Sequence, residues 1–147
     1  MSAIADATGR SQVRAGEDTR MQETLPRAIV VDDSRTARAL LRRALTREGI
    51  EVTEAGDGQQ ALDALARTGP LALALVDWNM PVMGGYDLIR ALRARHEYDG
   101  MRIMVVTSES ETAQVERALS AGANEYMMKP FPEAALREKL LLLGLLR

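Results

Sequence analysis

The sequence predicts an α/β fold, a doubly wound parallel sheet of five strands with five helices, and two observations carry that reading. Short apolar runs recur along the chain, continuous rather than alternating, and each is followed by a stretch with apolar residues at helical spacing. Continuously apolar strands separated by helices mark a parallel sheet covered on both faces. A third observation concerns how the runs end. Residues 28–31 run into Asp32 and Asp33, 71–76 into Asp77, 103–106 into Thr107, and 126–128 into Lys129 and Pro130. In a parallel sheet these ends share one edge, and ligands bind beyond the carboxyl ends of the strands.

The elements follow in order. Residues 1–26 are polar, mixed in charge and without sustained periodicity, and read as a flexible arm closed by Pro26, leaving 27–147 as one domain. After the strand at 28–31, Ser34 caps a helix over 35–48, with Ala37, Leu40, Leu41, Ala44 and Leu45 on its apolar face and Gly49 as its stop. A strand at 51–55 alternates, Gly56, Asp57 and Gly58 turn, and 60–67 is a second helix broken by Gly69 and Pro70. Strand 71–76 is followed by Gly84 and Gly85, which lead into a helix over 86–95 with Leu88, Ile89 and Leu92 inward. Strand 102–106, helix 112–121 closed by Gly122, and strand 125–128 come next. Pro132 then opens a last helix that reaches almost to Leu146.

Composition removes several classes of function. At 147 residues the chain has room for one domain with a proper core. Its net charge of -2 argues against a broad grip on nucleic acid or an anionic membrane. With no cysteine, thiolate catalysis and cysteine-based zinc sites are excluded. A single histidine, His96, gives little support to a histidine-rich metal site or a serine-type triad, and it reads as a solvated residue. No apolar run approaches the ~18 residues of a membrane span, and the start lacks a secretory pattern, so a cytoplasmic protein is the expectation.

Asp32, Asp33 and Asp77 at one sheet edge would repel one another unless a cation joins them. Hard divalent ions of the Mg²⁺ type favour one or two carboxylates, several waters and a phosphate. The edge therefore reads as a metal-assisted phosphoryl site. A lone Asp-Asp pair is more often a strand exit and helix cap. Asp77 and Lys129 together argue for the sharper reading.

The motifs VDWNMPVMGG and VVTSE, in order with the Asp32-Asp33 pair and Lys129-Pro130, resemble the receiver domain of bacterial two-component response regulators. The resemblance covers residues 27 to the C-terminus and is nearest the single-domain chemotaxis type. It implies a flavodoxin-like strand order, 2-1-3-4-5. It also implies that Asp77 is the phosphoacceptor and that Mg²⁺, with Mn²⁺ as a substitute, is held by Asp33, Asp77 and the main-chain carbonyl of Asn79. Asp32 would act on the ion through water. Thr107 would hydrogen-bond a phosphoryl oxygen, Lys129 would pair with the phosphoryl group through a cis bond to Pro130, and Tyr126 would be the aromatic that turns inward as Thr107 moves. Asn79 and Glu109 hold positions that tune acyl-phosphate lifetime in the family.

The implied partners are a sensor histidine kinase or histidine phosphotransfer protein upstream and a protein target downstream. No nucleic acid or membrane is implied. The protein would be no enzyme beyond its own phosphorylation and dephosphorylation. The last helix is leucine-rich beyond one face, with Leu136, Leu140 and Leu143 inward and Leu141, Leu142, Leu145 and Leu146 widening the stripe, which suggests a homodimer or partner surface. Two rival functions are a phosphorylation-independent receiver-like adaptor and an aspartate-nucleophile phosphohydrolase. The second usually carries its nucleophile on the first strand and needs a cap for which this chain has no room.

Overall fold

The computed structural model describes residues 25–108 and 113–146. Nearly all of the expected N-terminal arm, together with Glu109 and Thr112, lies outside them. The elements are β1 (Arg27–Val31), α1 (Arg35–Arg47), β2 (Glu51–Ala55), α2 (Gly58–Thr68) and β3 (Leu73–Asp77). They continue with α3 (Gly85–Arg93), a 3₁₀ turn (His96–Tyr98), β4 (Arg102–Ser108), α4 (Val115–Ala121), β5 (Glu125–Lys129) and α5 (Glu133–Leu142). The five strands are parallel in the order β2-β1-β3-β4-β5. This is the doubly wound α/β architecture expected.

The two-residue period of the strands sorts their side chains into two cores. Ile29, Val31, Ala74, Val76, Ile103 and Val105 face α2, α3 and α4, where Leu65, Leu88, Ile89 and Leu92 cover them. Ala28, Val30, Leu73, Leu75, Met104 and Val106 face α1 and α5, which cover them with Leu41, Leu45, Leu136 and Leu140. Both layers are nearly dry, and that explains why the strand sequences are apolar without interruption.

Several boundaries differ from the sequence reading. Gly58 is helical rather than part of a turn, because Asp57 caps α2 by accepting from the Gln60 N–H at 2.9 Å. β3 begins at Leu73 and ends on Asp77 itself. Helix α3 stops at Arg93, and the rest of the expected helix is the 3₁₀ turn. Leu40 is 59% exposed and does not belong to the buried face of α1.

The last helix is shorter than expected. It ends at Leu142 because Gly144 takes a φ of +78°, so that the Leu145 N–H donates back to the Leu140 carbonyl at 3.0 Å. Leu143, Leu145 and Leu146 thereby fold onto the α1–α5 core. Of the widened stripe, Leu141 and Leu142 remain exposed.

Arg93 is a structural clamp that periodicity did not disclose. Its guanidinium donates to the carbonyls of Gly122 at 3.0 Å, Tyr98 at 2.8 Å and Met101 at 2.8 Å, and to Asn124 Oδ1 at 2.9 Å. It ties the end of α3 to the loops that enter β4 and β5. Burial holds the guanidinium below its ordinary pKa. Arg93→Ala should therefore cost about 2–3 kcal/mol, as several acceptors lose their donor together. Urea denaturation would measure this, and a change below about 0.5 kcal/mol would contradict the clamp.

Candidate functional site

The acidic edge begins where β1 runs out. The Asp32 N–H still donates to the Ala55 carbonyl at 3.1 Å, so the backbone stays in register with β2 for one residue past the strand. The Asp32 side chain is 1% exposed. Its Oδ1 accepts from the Ser34 N–H at 2.8 Å, and Ser34 Oγ accepts in turn from the Ala37 N–H at 3.1 Å. Ser34 thus caps α1 as expected, and Asp32 binds the N–H of that residue rather than capping the helix itself. From the first turns of α1, Arg38 donates to the Asp32 carbonyl and pairs with Glu54 at 3.1 Å, while Arg42 takes the other Glu54 oxygen. Burial acts to raise the Glu54 pKa, but the two guanidiniums outweigh it and hold the carboxyl below its ordinary value. This arginine–glutamate brace is another part of the site that the sequence reading did not single out.

β3 lies beside β1, so Asp77 at its end stands next to the Asp32–Asp33 pair. One carboxylate oxygen from each of Asp32, Asp33 and Asp77 lies within 4.8 Å of the others. Asp33 is exposed and Asp77 half-buried. Oxygens this close can share one hard cation, which takes ligands at about 2.0–2.6 Å. Both oxygens of Asp32 already accept a hydrogen bond.

Lys129 ends β5 and sits in register with Ser108 of the intervening β4. Its ammonium reaches across to stand 3.0 Å from Asp32 Oδ2 and 3.6 Å from Asp77 Oδ1. It is thus paired more closely with Asp32 than with Asp77. The Lys129–Pro130 bond is cis, as expected. Partial burial acts to lower the ammonium pKa, but the hydrogen bond to Asp32 and the charges of Asp77 and Asp32 outweigh it, and the pKa is raised.

Thr107 is 1% exposed on β4, and its hydroxyl lies 3.5 Å from the Ser108 carbonyl, at the long limit of a hydrogen bond. Tyr126 is half-buried on β5. The Lys139 ammonium of α5 sits 5.1 Å from the centre of its ring and 2.7 Å from Glu125 Oε1, which also accepts from the Tyr126 N–H at 3.0 Å. Lys139 is a further residue the sequence reading missed, since the register of α5 over β5 is set by packing.

The loop after Asp77 is held tightly. The Gly85 N–H donates to the Trp78 carbonyl at 2.9 Å, and a Cβ on Gly85 would stand 2.6 Å from the Asp77 carbonyl oxygen, so only glycine fits there. Trp78 is buried and meets Tyr86 edge-on at 6.0 Å. Asn79 is exposed, two residues beyond Asp77. Val82 has a φ of +69° and is 85% exposed, a left-handed backbone that a β-branched residue adopts only under strain. His96 is exposed, with Nδ1 3.1 Å from Asp99, and takes no part in the site.

Residues 28–141 match the family model of the response regulator receiver domain. The chain belongs to the response-regulator receiver family. The receiver is 43% identical over 113 residues to a chemotaxis protein CheY homolog of Campylobacter jejuni, an alignment covering 76% of this chain and 87% of the relative. Its fold is similar to that of chemotaxis protein CheY4 of Vibrio cholerae, with a TM-score of 0.75 and 28% identity over 81% of this chain and 98% of the other. It is also similar to the receiver domain of the sensor histidine kinase PA1611 of Pseudomonas aeruginosa, a structure described with a magnesium ion coordinated in its active-site cleft. That match has a TM-score of 0.73 and 28% identity, covering 81% of this chain and 98% of the other. Among the described residues of the receiver, no helix is long and apolar enough to cross a membrane.

Two outcomes test this geometry. A lysine whose pKa is raised on folding adds stability that is complete below its ordinary value of 10.5 and is lost as pH rises through the higher folded value. Stability measured between pH about 9 and about 12 should therefore decline, and decline less steeply in Lys129→Met. Equal slopes would argue against the ion pair. Val82→Asn, which tolerates the left-handed region, should raise stability by about 0.5–1 kcal/mol in thermal unfolding.

Proposed function

We propose that this receiver accepts a phosphoryl group on Asp77 from a sensor histidine kinase or a histidine phosphotransfer protein, in a Mg²⁺-dependent step, and signals through phosphorylation-dependent protein contact. The observation that carries the reading is the cluster of Asp32, Asp33 and Asp77 with the Lys129 ammonium between two of them. A carboxylate oxygen of Asp77 forms the new O–P bond as the P–N bond of the donor phosphohistidine breaks, and the histidine leaves neutral or takes a proton from water. Little covalent work falls to the protein, so positioning and charge neutralisation dominate.

Asp33, Asp77 and the Asn79 carbonyl would hold the ion, with Asp32 acting through water, and Mg²⁺ bound there would supply charge neutralisation to the phosphoryl oxygens. The magnesium described in the PA1611 receiver supports this assignment, and Mn²⁺ would serve as a substitute. Lys129 would exchange part of its pairing with Asp32 for a phosphoryl oxygen. The Thr107 hydroxyl would turn to the phosphoryl group, and Tyr126 would follow it inward, shifting the population of the β4–α4 and α5 surface.

A donor protein has somewhere to dock. An apolar groove of about 570 Å³ runs beside Lys129, lined by Leu40, Leu41, Ala44, Pro130 and Phe131 among others. Leu40, exposed on its helix, is explained by that role. A homodimer through the last helix would rest on Leu141 and Leu142, a small patch. The protein would work in the cytoplasm and catalyse only its own phosphorylation and dephosphorylation.

Incubation with a small-molecule phosphodonor and Mg²⁺, read by intact mass and Trp78 fluorescence, tests the proposal. The wild type should gain one phosphate and Asp77→Asn none; a phosphate retained in Asp77→Asn would overturn the acceptor. Removal of Mg²⁺ with a chelator, or Asp33→Asn, should abolish the gain. Thr107→Ala should still be phosphorylated while losing most of the fluorescence change.

A further inference from the structure

A second groove, of about 760 Å³, lies between α3 and α4, away from the phosphoacceptor mouth. Tyr86, Arg90, Arg93, Glu116, Arg117 and Ser120 are among the residues that line it. The Arg117 guanidinium stands 4.2 Å from the centre of the Tyr86 ring and that of Arg90 stands 5.7 Å away. Hydrogen bonding from Arg117, then from Arg90, holds the Tyr86 phenol below its ordinary pKa, a sign of the positive field there. Arg93 already donates to three main-chain carbonyls and to the Asn124 amide oxygen, so it contributes charge and little further donor capacity. Arg90 and Arg117 are exposed, and among the described residues neither forms an ion pair. On a chain of net charge -2, this is a local reversal of sign.

We propose that the α3–α4 groove, through Tyr86, Arg90 and Arg117, binds an acidic peptide segment of a partner protein. Charge complementarity selects carboxylates, which planar guanidiniums hold by paired N–H donors. The span from Tyr86 to Arg93 is about two helical turns, or roughly 10 Å, which suits several carboxylates in a row better than one phosphate. With Arg117 already stacked on the Tyr86 ring, that ring is poorly presented to a nucleobase.

The groove is also mechanically close to the acceptor. Tyr86 meets Trp78 edge-on, and Trp78 directly follows Asp77. Helix α3 opens at Gly85, after Asp77, and α4 at Val115, after Thr107. If the phosphoacceptor reading holds, occupancy of the groove and phosphorylation bias one another by linkage.

The test titrates the full chain with a capped hexaglutamate peptide, without Mg²⁺ or phosphodonor, reading Trp78 fluorescence and calorimetry. Saturable, salt-sensitive binding is expected, weakened at least about tenfold in the double variant Arg90→Gln, Arg117→Gln. Both side chains are exposed, so the variant should keep the wild-type melting temperature. Absence of binding to the wild type, or equal affinity in the variant, would overturn the proposal. So would inorganic phosphate or adenosine monophosphate binding as tightly as the peptide. The assay contains no phosphodonor, so its failure is separate from any failure of Asp77 as acceptor.

Discussion

A carboxylate buried as deeply as Asp32 has to have its charge answered inside the protein, because an unpaired buried ion costs several kcal/mol. The fold answers it from two directions. The N–H of Ser34, the residue that caps α1, meets one oxygen, and the Lys129 ammonium arrives from three strands away to meet the other. That second contact is what joins β1, β3 and β5 at their carboxyl ends. A breach of the sheet order, a slip of β5 against β4, or a change in the path after Lys129 would each leave Asp32 without its cation. The electrostatic balance of the site and the topology of the sheet are thus the same constraint seen at two scales.

The constraint also explains the arrangement of the helices. α3 opens a few residues beyond Asp77, and α4 a few beyond Thr107. The amino ends of both helices therefore lie towards the acidic edge, and before α3 Gly85 packs against the Asp77 carbonyl and Trp78. At their far ends the helices are pinned. Arg93 holds the end of α3 to the entrances of β4 and β5, and Gly122, with φ of +121°, brings its carbonyl to that guanidinium. The far ends are thus anchored by side-chain hydrogen bonds, while the amino ends lie on the side of the acidic edge.

How much of this was legible in the residues depended on whether the signal was local. The strands were readable because burial on both faces forces unbroken apolar runs, and each run's last polar residue marked the edge. Asp33, Asp77, Thr107 and Lys129 were named for that reason, and the cis bond followed from a resemblance. Arg38, Arg93 and Lys139 were not, since a long cationic side chain on a helix looks the same in sequence whether it points to water or to a carbonyl across the fold. The end of α5 was misplaced because a leucine run has strong helix propensity and hides the stop that Gly144 imposes. Helical spacing put Leu40 inside; the exposed position beside Phe131 and Pro130 follows from how α1 sits against the loop after β5.

The contact between Lys139 and Tyr126 shows what a switching role would demand of the energetics. A cation over an aromatic ring at a half-exposed site is worth about 0.5–2 kcal/mol, and the Lys139–Glu125 pair adds of the order of 1 kcal/mol or less. Together these bias the ring's position by roughly one decade in population, not by four. A ring held by a buried network would need more differential binding energy than one phosphoryl group supplies through Thr107 and Lys129. A ring with no hold at all would sample both positions before any signal arrived. Were Asp77 to gain a phosphoryl group as proposed, a weak clamp from α5 would leave the two positions close enough in free energy for that one new charge to decide between them.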